Sequence, residues 1–362
     1  MNTKKINRLV DSVKLLLIIA IAFVIVALIV FACSEVPGEA LYNFFIGPFL
    51  SPRRIGNIVE GACPLIFTSL AVMLIFSVGQ FSMISEGSFF IGCTAAMVIS
   101  LSFQMPAGIH AAVCLIVAAV SGALVASIPA LLKKKWTVSE VVTSIMLNYV
   151  VQYFAVYLLT YYYNDKESSS VTSLPLAETT ALPKIVSGTN IHFGLIIALA
   201  CCVLVWFIMY RSNIGFKLRV TGHNPSFAHY VGMNEGMLMV GAQILAGALA
   251  GLGGAVELLG MYQRFKWTSS PGYGWTGIVV ALLAKDNPLM IPLAACFIAY
   301  INTGANIMAM NSDVSNDMAS VIQAVIMLLI ASGALLQKWR QKLIVEAAEK
   351  EQAEADAAAA NE

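Results

Sequence analysis

Long apolar stretches, each bounded by a short cluster of charged or turn-forming residues, run the length of this chain. A helix rises about 1.5 Å per residue, so about 20 apolar residues are needed to cross about 30 Å of hydrocarbon. Windows of that kind predict nine full spans and one short one: Leu15 to Cys33, Ile58 to Val78, Met83 to Ser102, Ile109 to Leu132, Val141 to Tyr162, Ile191 to Tyr210, Gly236 to Gly260, Thr276 to Ala284, Leu289 to Ala309 and Met318 to Leu336. The short stretch Thr276 to Ala284 sits between Pro271, Gly272 and Gly274 on one side and Lys285, Asp286, Asn287 and Pro288 on the other. Such breakers point to a truncated or re-entrant element lining a protein cavity. The expected fold class is all-α and polytopic, with about ten transmembrane helices.

Composition agrees with the pattern. With 59% hydrophobic and 11% charged residues and a mean hydropathy of +0.81, the chain cannot form a water-soluble globule with one polar surface. Lys and Arg are retained on the cytoplasmic side of short loops. Placing both termini in the cytoplasm puts 15 of the 21 Lys and Arg inside and leaves Arg53, Arg54, Lys166, Lys184, Arg264 and Lys266 outside. The organisation expected is a cytoplasmic N-terminus over residues 1–14, a membrane domain over 15–336 and a charged cytoplasmic tail over 337–362. Within the domain, 211–235 forms a cytoplasmic loop and 163–190 an extracellular one. The first span ends Val30-Phe31-Ala32-Cys33; its apolar run is longer than a signal-peptide core, so it reads as a retained anchor. The seven cysteines lie in or beside apolar spans without metal-like clustering and read as small packing residues.

Several function classes drop out. A net charge of +1 implies no nucleic acid. His110, His192, His223 and His229 form no H-E-x-x-H pair, and there is no G-x-x-x-x-G-K-[ST] loop. The chain therefore reads as no enzyme, binding no cofactor of its own, with any ATP handled by a separate subunit. Ion-coupled transporters carry intramembrane carboxylates or charge pairs because only function justifies a cost of roughly 2.5–3.5 kcal/mol at mid-membrane. Here no Asp lies in a span and the carboxylates in or beside spans are Glu60, Glu86 and Glu257. A passive conduit operated from outside itself is the better reading.

The interruption from Arg211 to Glu235, between two apolar spans, carries the most specific signal. Asn224 before Pro225 is a helix start, because Asn caps free N–H groups and Pro is preorganised for the first helical position. A short helix over Pro225 to Val231 should follow, with Gly232 ending it in a left-handed conformation. Its His223, Phe227, His229, Tyr230 and Met233 would offer a semi-polar aromatic surface for a groove on a partner protein. An amphipathic loop resting on lipid headgroups is the alternative.

The stretch from Gly222 to Met233, GHNPSFAHYVGM, resembles the G-x-N-x-x-A-x-x-x-G-[MI] coupling motif of membrane permeases in ATP-binding cassette importers. The relevant branch resembles the ribose and branched-chain amino acid permeases. Glu140 to Tyr149, Ala246 to Gly260 and Gly274 to Pro288 resemble the nucleoside or simple-sugar permeases served by basic-membrane-protein lipoproteins. The resemblance covers most of Gln80 to Leu336. From Phe81 to Ser88 this chain reads FSMISEGS where relatives read like F-N-I-G-x-E-G-Q, keeping Glu86 and Gly87. The resemblance implies a multi-pass permease of a bacterial plasma membrane that moves a neutral polar solute, with a nucleoside ahead of a ribose- or galactose-type sugar. It also implies a second, similar or identical permease chain, ATP-binding subunits holding ATP and Mg, and an extracellular binding lipoprotein. Gly222, His223, Asn224, Pro225, Phe227, Ala228, Tyr230, Gly232 and Met233 would couple to the ATPase. An ion-driven secondary transporter is the rival from another class.

A path for a polar solute needs hydrogen-bonding groups inside spans. Gln80, Ser85, Glu86 and Ser88 cluster where Gly79 and Gly87 allow an unwound backbone, either as a half-helix binding site or as caps for two helix ends. Asn148, Gln152, Gln243, Glu257, Asn302, Asn306 and Gln323 face the path or join helices. Glu257, near the outer end of its span, reads as a snorkelling or gate residue. Tyr273 and Trp275 read as interfacial anchors or as stacking rings at the outer mouth. The small residues of Ala246 to Ala255 allow close helix approach. The Ser/Thr-rich 163–190 segment reads as a landing site for the lipoprotein or as a solvated loop.

Overall fold

The computed structural model describes residues 23–31, 34–315 and 317–329. Its helices are α1 (Pro37–Phe45), α2 (Pro52–Ser77), α3 (Ile84–Ser102), α4 (Ile109–Trp136), α5 (Glu140–Leu158), α6 (Gly194–Arg211), α7 (Asn213–His223), α8 (Pro225–Tyr230), α9 (Glu235–Met261), α10 (Tyr273–Leu283), α11 (Ile291–Asn311) and α12 (Asp317–Leu329). Residues 23–31 are also helical, and α5 continues as a π-turn over Leu159–Tyr163. Among the described residues there is no strand, only two isolated bridges.

Among the described residues, seven helices are long and apolar enough to cross a membrane: α2, α3, α4, α5 with its π-turn, α6, α9 and α11. The short element expected at Thr276 to Ala284 is α10, whose 11 residues have a length of about 16 Å that reaches halfway through a hydrocarbon core. The spans expected at Leu15–Cys33 and Met318–Leu336 fall partly outside the described residues, and the segments 1–14 and 337–362 fall wholly outside them.

The chain divides into two compact units, Ile46–Thr303 and the residues flanking it on either side. In the larger unit, α9 packs on α2, α3 and α4, and α10 packs on α2. Of the apolar windows of α2, α3 and α9, 83%, 72% and 67% is buried, against 22%, 17% and 28% for α4, α5 and α6. The first three form the core and the last three an outer layer. On α4, Ile116, Val120 and Leu124 recur at helical spacing and are all exposed, an apolar stripe that suits lipid rather than water.

Glycine sets how close the core helices come. A Cβ added at Gly92 of α3 would lie 2.2 Å from the Gly251 carbonyl oxygen of α9, and one at Gly122 of α4 would lie 2.3 Å from that of Gly247. The small-residue run Ala246 to Ala255 therefore works as expected: backbone packs on backbone.

The 163–190 segment is a strap that folds back on the helices and keeps many of its residues exposed. Ser173 N–H donates to Phe265 O at 2.9 Å, Leu176 N–H to Gln263 O at 2.9 Å and Leu182 N–H to Leu259 O at 3.0 Å, tying the strap to the end of α9 and the chain beyond it. Two of its hydroxyls reach other helices: Thr180 meets Ser100 at 3.0 Å and Thr179 meets His110 Nδ1 at 2.8 Å. Arg264 pairs with Asp165 and holds that carboxyl below the usual carboxylate range.

In the smaller unit, Phe23 meets Phe45 edge to face at 5.1 Å, and Phe44 is fully buried against Gly304, where a Cβ would lie 2.5 Å from the Phe44 carbonyl. The Ser34 hydroxyl donates to Asp313 at 2.7 Å and keeps that carboxyl low.

Candidate functional site

Gly79, at φ +72°, breaks the chain between α2 and α3. No side chain of the local sequence caps α3; α5 supplies the caps instead. Ser144 Oγ accepts from Met83 N–H at 3.0 Å, Asn148 Oδ1 accepts from Gly87 N–H at 3.0 Å, and Asn148 Nδ2 donates to Met83 O at 2.9 Å. Gly87 is required there, since a Cβ would sit 2.4 Å from Asn148 Oδ1. Beside the break, Gln243 Nε2 of α9 donates to Gln80 Oε1 at 2.8 Å, with both side chains buried. The backbone is non-helical over 78–83, including Gly79 and Gln80, whereas Ser85, Glu86, Gly87 and Ser88 already lie in α3; the break is clamped by α5 and α9.

Glu86, in the first turn of α3, fixes the start of α10. Its carboxylate accepts from the Ser270 hydroxyl, from Gly272 N–H at 2.7 Å and from Gly274 N–H. Gly272, at φ +81°, makes the turn that aims these N–H groups. At Gly274 a Cβ would meet Glu86 N and Oε2 at 2.6 and 2.7 Å. Tyr273 lies against Phe89 with ring centroids 5.1 Å apart, and its hydroxyl donates to Glu257 Oε1 at 3.3 Å. Two readings change accordingly. Tyr273 is turned into the bundle rather than out to an interface, and Glu257 is 1% exposed and does not snorkel.

The remaining path candidates separate. Ser85 Oγ, Gln243 Oε1, Glu257 Oε2 and Asn302 Oδ1 are buried atoms without a hydrogen-bond partner among the described residues. Ser88 is spent on a helix contact, donating to Gly122 O at 3.2 Å. Trp275 is about half exposed on the opposite side of the α10 turn from Gly274 and Gly277, and Asn306 belongs to the smaller unit, where it is exposed.

The segment 211–235 holds one helix more than its sequence suggested. Ser212 caps α7 by accepting from Gly215 N–H at 3.2 Å, and α7 ends at His223. Asn224 then caps α8 through Phe227 N–H at 3.0 Å, with Pro225 at the first helical position. Gly232 at φ +80° closes α8, donating to His229 O at 2.9 Å while Met233 N–H donates to Ala228 O at 2.9 Å. Ala228 is fully buried, whereas Phe227 and Val231 are exposed and Tyr230 is 90% exposed. His223 is exposed and Met233 half-buried. Gly222 is pressed against the α2–α3 break: a Cβ there would be 2.1 Å from the Ser77 carbonyl oxygen and 3.1 Å from Gly79 N. A cavity of about 220 Å³ adjoins this contact, lined by Met73, Phe76, Ser77, Arg219, Gly222 and Asp286 among others.

Sequence reasoning missed Ser144 and Ser270 as site residues. The only signal for Ser270 was its place before Pro271-Gly272, where a short polar residue precedes a helix start; for Ser144 there was none beyond its turn spacing from Asn148.

Residues 54–331 match the family model described as branched-chain amino acid transport system / permease component. The chain is 32% identical over 81% of its length to the guanosine ABC transporter permease protein NupP of Bacillus subtilis, covering 84% of that protein. It is 29% identical to the nucleoside ABC transporter permease protein NupB of Lactococcus lactis, over 87% of this chain and 89% of that one. It is also 29% identical to the glucose ABC transporter permease protein TsgB13 of Haloferax volcanii, over 84% and 83%.

Proposed function

The chain belongs to the branched-chain amino acid transport system permease family, as a multi-pass, non-enzymatic membrane subunit of an ATP-binding cassette importer, and we propose that its solute is a nucleoside. Subunits of this kind work with ATP-binding partners and bind no cofactor themselves. In our reading ATP and Mg are held by those partners, a second permease chain completes the pathway, an extracellular lipoprotein delivers the solute, and the assembly sits in a bacterial plasma membrane with 211–235 facing the cytoplasm.

The observation that carries the mechanism is the contact of Gly222 with Ser77 and Gly79. Closure of the ATPase subunits displaces α8 through Phe227, Tyr230 and Val231. The rigid α7–α8 corner passes this displacement to the α2–α3 break, beside the Gln80–Gln243 pair and the capped start of α3. A core with two arrangements then exchanges access from one side to the other. The work done by this chain is conformational.

Nucleoside rather than amino acid or ion fits the polar groups available, which are amides, hydroxyls and buried carboxyls with no Lys or Arg in the interior of any described span. A simple sugar is the second reading, favoured by the glucose permease relative. Uptake of labelled uridine by cells carrying the complete transporter separates the two. Unlabelled guanosine should compete, and free ribose or glucose should not; competition by the sugars alone would transfer the assignment to them.

A further inference from the structure

Free N–H groups at the start of a half-length helix inside a membrane protein attract anions. In this chain that place is already taken. Glu86 gathers the Ser270 hydroxyl and the N–H groups of Gly272 and Gly274, and Gly274 is packed so closely on it that not even a methyl group fits between. Glu257, which accepts from the Tyr273 hydroxyl at this helix start, has its Oε2 buried without a partner among the described residues. The same holds for the Oγ of Ser85, one residue before Glu86, and Tyr273 lies against Phe89. A buried carboxylate oxygen with nothing to accept from is an unmet demand for a donor.

We infer that the start of α10 receives a neutral, hydroxyl-bearing solute and is closed to anions, with Glu86 as the chain's own anion and Glu257 Oε2 and Ser85 Oγ as partners for solute hydroxyls. This deepens the nucleoside reading and rests on it for the solute, while the role of Glu86 stands independently. A solute carboxylate or phosphate entering here would have to displace Glu86 and would meet the Glu257 carboxyl besides, with no Lys or Arg in the interior of any described span to offset them. A hydroxyl meets the opposite situation, because it donates to the free Glu257 oxygen and leaves the Glu86 clamp in place.

Two measurements test this. In the purified full chain, Glu86→Ala should lower the melting midpoint, and millimolar formate should restore at least half of the loss, while chloride or neutral formamide should restore none. Glu86→Gln, which keeps one acceptor oxygen, should melt between the two and serves if Glu86→Ala does not fold. In the complete transporter, Glu257→Ala should raise the KM for uridine at least tenfold, with a melting midpoint lowered by the Tyr273 hydroxyl left without its acceptor. Glu257→Gln, which keeps an oxygen for that hydroxyl, should melt close to the wild type and still raise the KM, and uridine 5′-monophosphate should not compete with uridine in the wild type. No response of Glu86→Ala to formate, or wild-type melting of Glu86→Gln, overturns the resident-anion role. An unchanged KM in Glu257→Ala, or competition by the monophosphate, overturns the hydroxyl site. Formate rescue in a transporter that takes up no uridine would sink the nucleoside reading and leave the resident anion standing.

Discussion

The α3–α10 junction and the α8 corner solve opposite problems with the same polar residue types. At the junction every defining contact joins residues far apart in sequence: Asn148 to Met83 and Gly87, Gln243 to Gln80, Glu86 to Ser270, Gly272 and Gly274. At the corner every cap is local, Ser212 to Gly215, Asn224 to Phe227 and Asn234 to Met237, and the large side chains face outward. A buried polar group without a partner costs several kcal/mol in an apolar medium, so the junction is held from several helices at once. The corner gets its shape from its own caps and leaves Tyr230 and Phe227 free to be gripped. One region is built to hold a fixed geometry and the other to be pushed.

That contrast orders the expected effects of substitution. The largest belongs to the backbone contacts under the junction. Gly92→Val puts branched carbon where the Gly251 carbonyl lies 2.2 Å from an ideal Cβ, and should abolish accumulation of the chain in membranes, as read by immunoblot. Gly222→Val, whose Cβ would meet Ser77 O at 2.1 Å, tests the link between the two regions. It should separate α7 from the α2–α3 break and lower uptake at least tenfold even where membrane levels recover at low growth temperature. Asn148→Ala leaves Met83 O and Gly87 N–H without partners and should destabilise the purified chain by about 2–4 kcal/mol. Asn224→Ala removes a single exposed cap and should cost about 1 kcal/mol. Tyr230→Ala should leave the melting midpoint unchanged, since its side chain touches little of its own chain, and should still impair uptake. If Asn224→Ala proved as damaging to stability as Asn148→Ala, the division into a locked core and a free handle would fail.

How much of this was legible follows from the range of the interactions. The α8 corner is written in consecutive residues, so Asn224, Pro225 and Gly232 announced its start, first turn and end almost to the residue. The spans follow from apolar runs, and the close approach of α9 follows from Ala246 to Ala255. The helix α7 was hidden because its sequence, NIGFKLRVTGH, has neither an apolar run nor a strong helical pattern, and only the Ser212 cap hints at it. At the junction the sequence could nominate Gln80, Ser85, Glu86, Asn148 and Gln243 as polar residues in apolar surroundings, yet it could not pair them. Pairing depends on which helix faces overlap, and residues 86 and 274 are brought together by the packing of α10 on α2 and α3. The contacts of the strap over 163–190 were hidden for a related reason. Nothing in its Ser/Thr-rich sequence marks Thr180, Thr179 and Ser173 as the ones that bond to Ser100, His110 and the chain after α9.

The claim on which the rest depends is that α8 is the part of this chain that the ATP-binding subunit grips. A photo-crosslinking amino acid placed at Tyr230 in the complete transporter, activated in membranes with and without ATP, tests it most directly. The account predicts a covalent adduct with the ATP-binding subunit whose yield changes with nucleotide. Adducts with lipid alone, at a position where the assembled transporter still takes up solute, would contradict it.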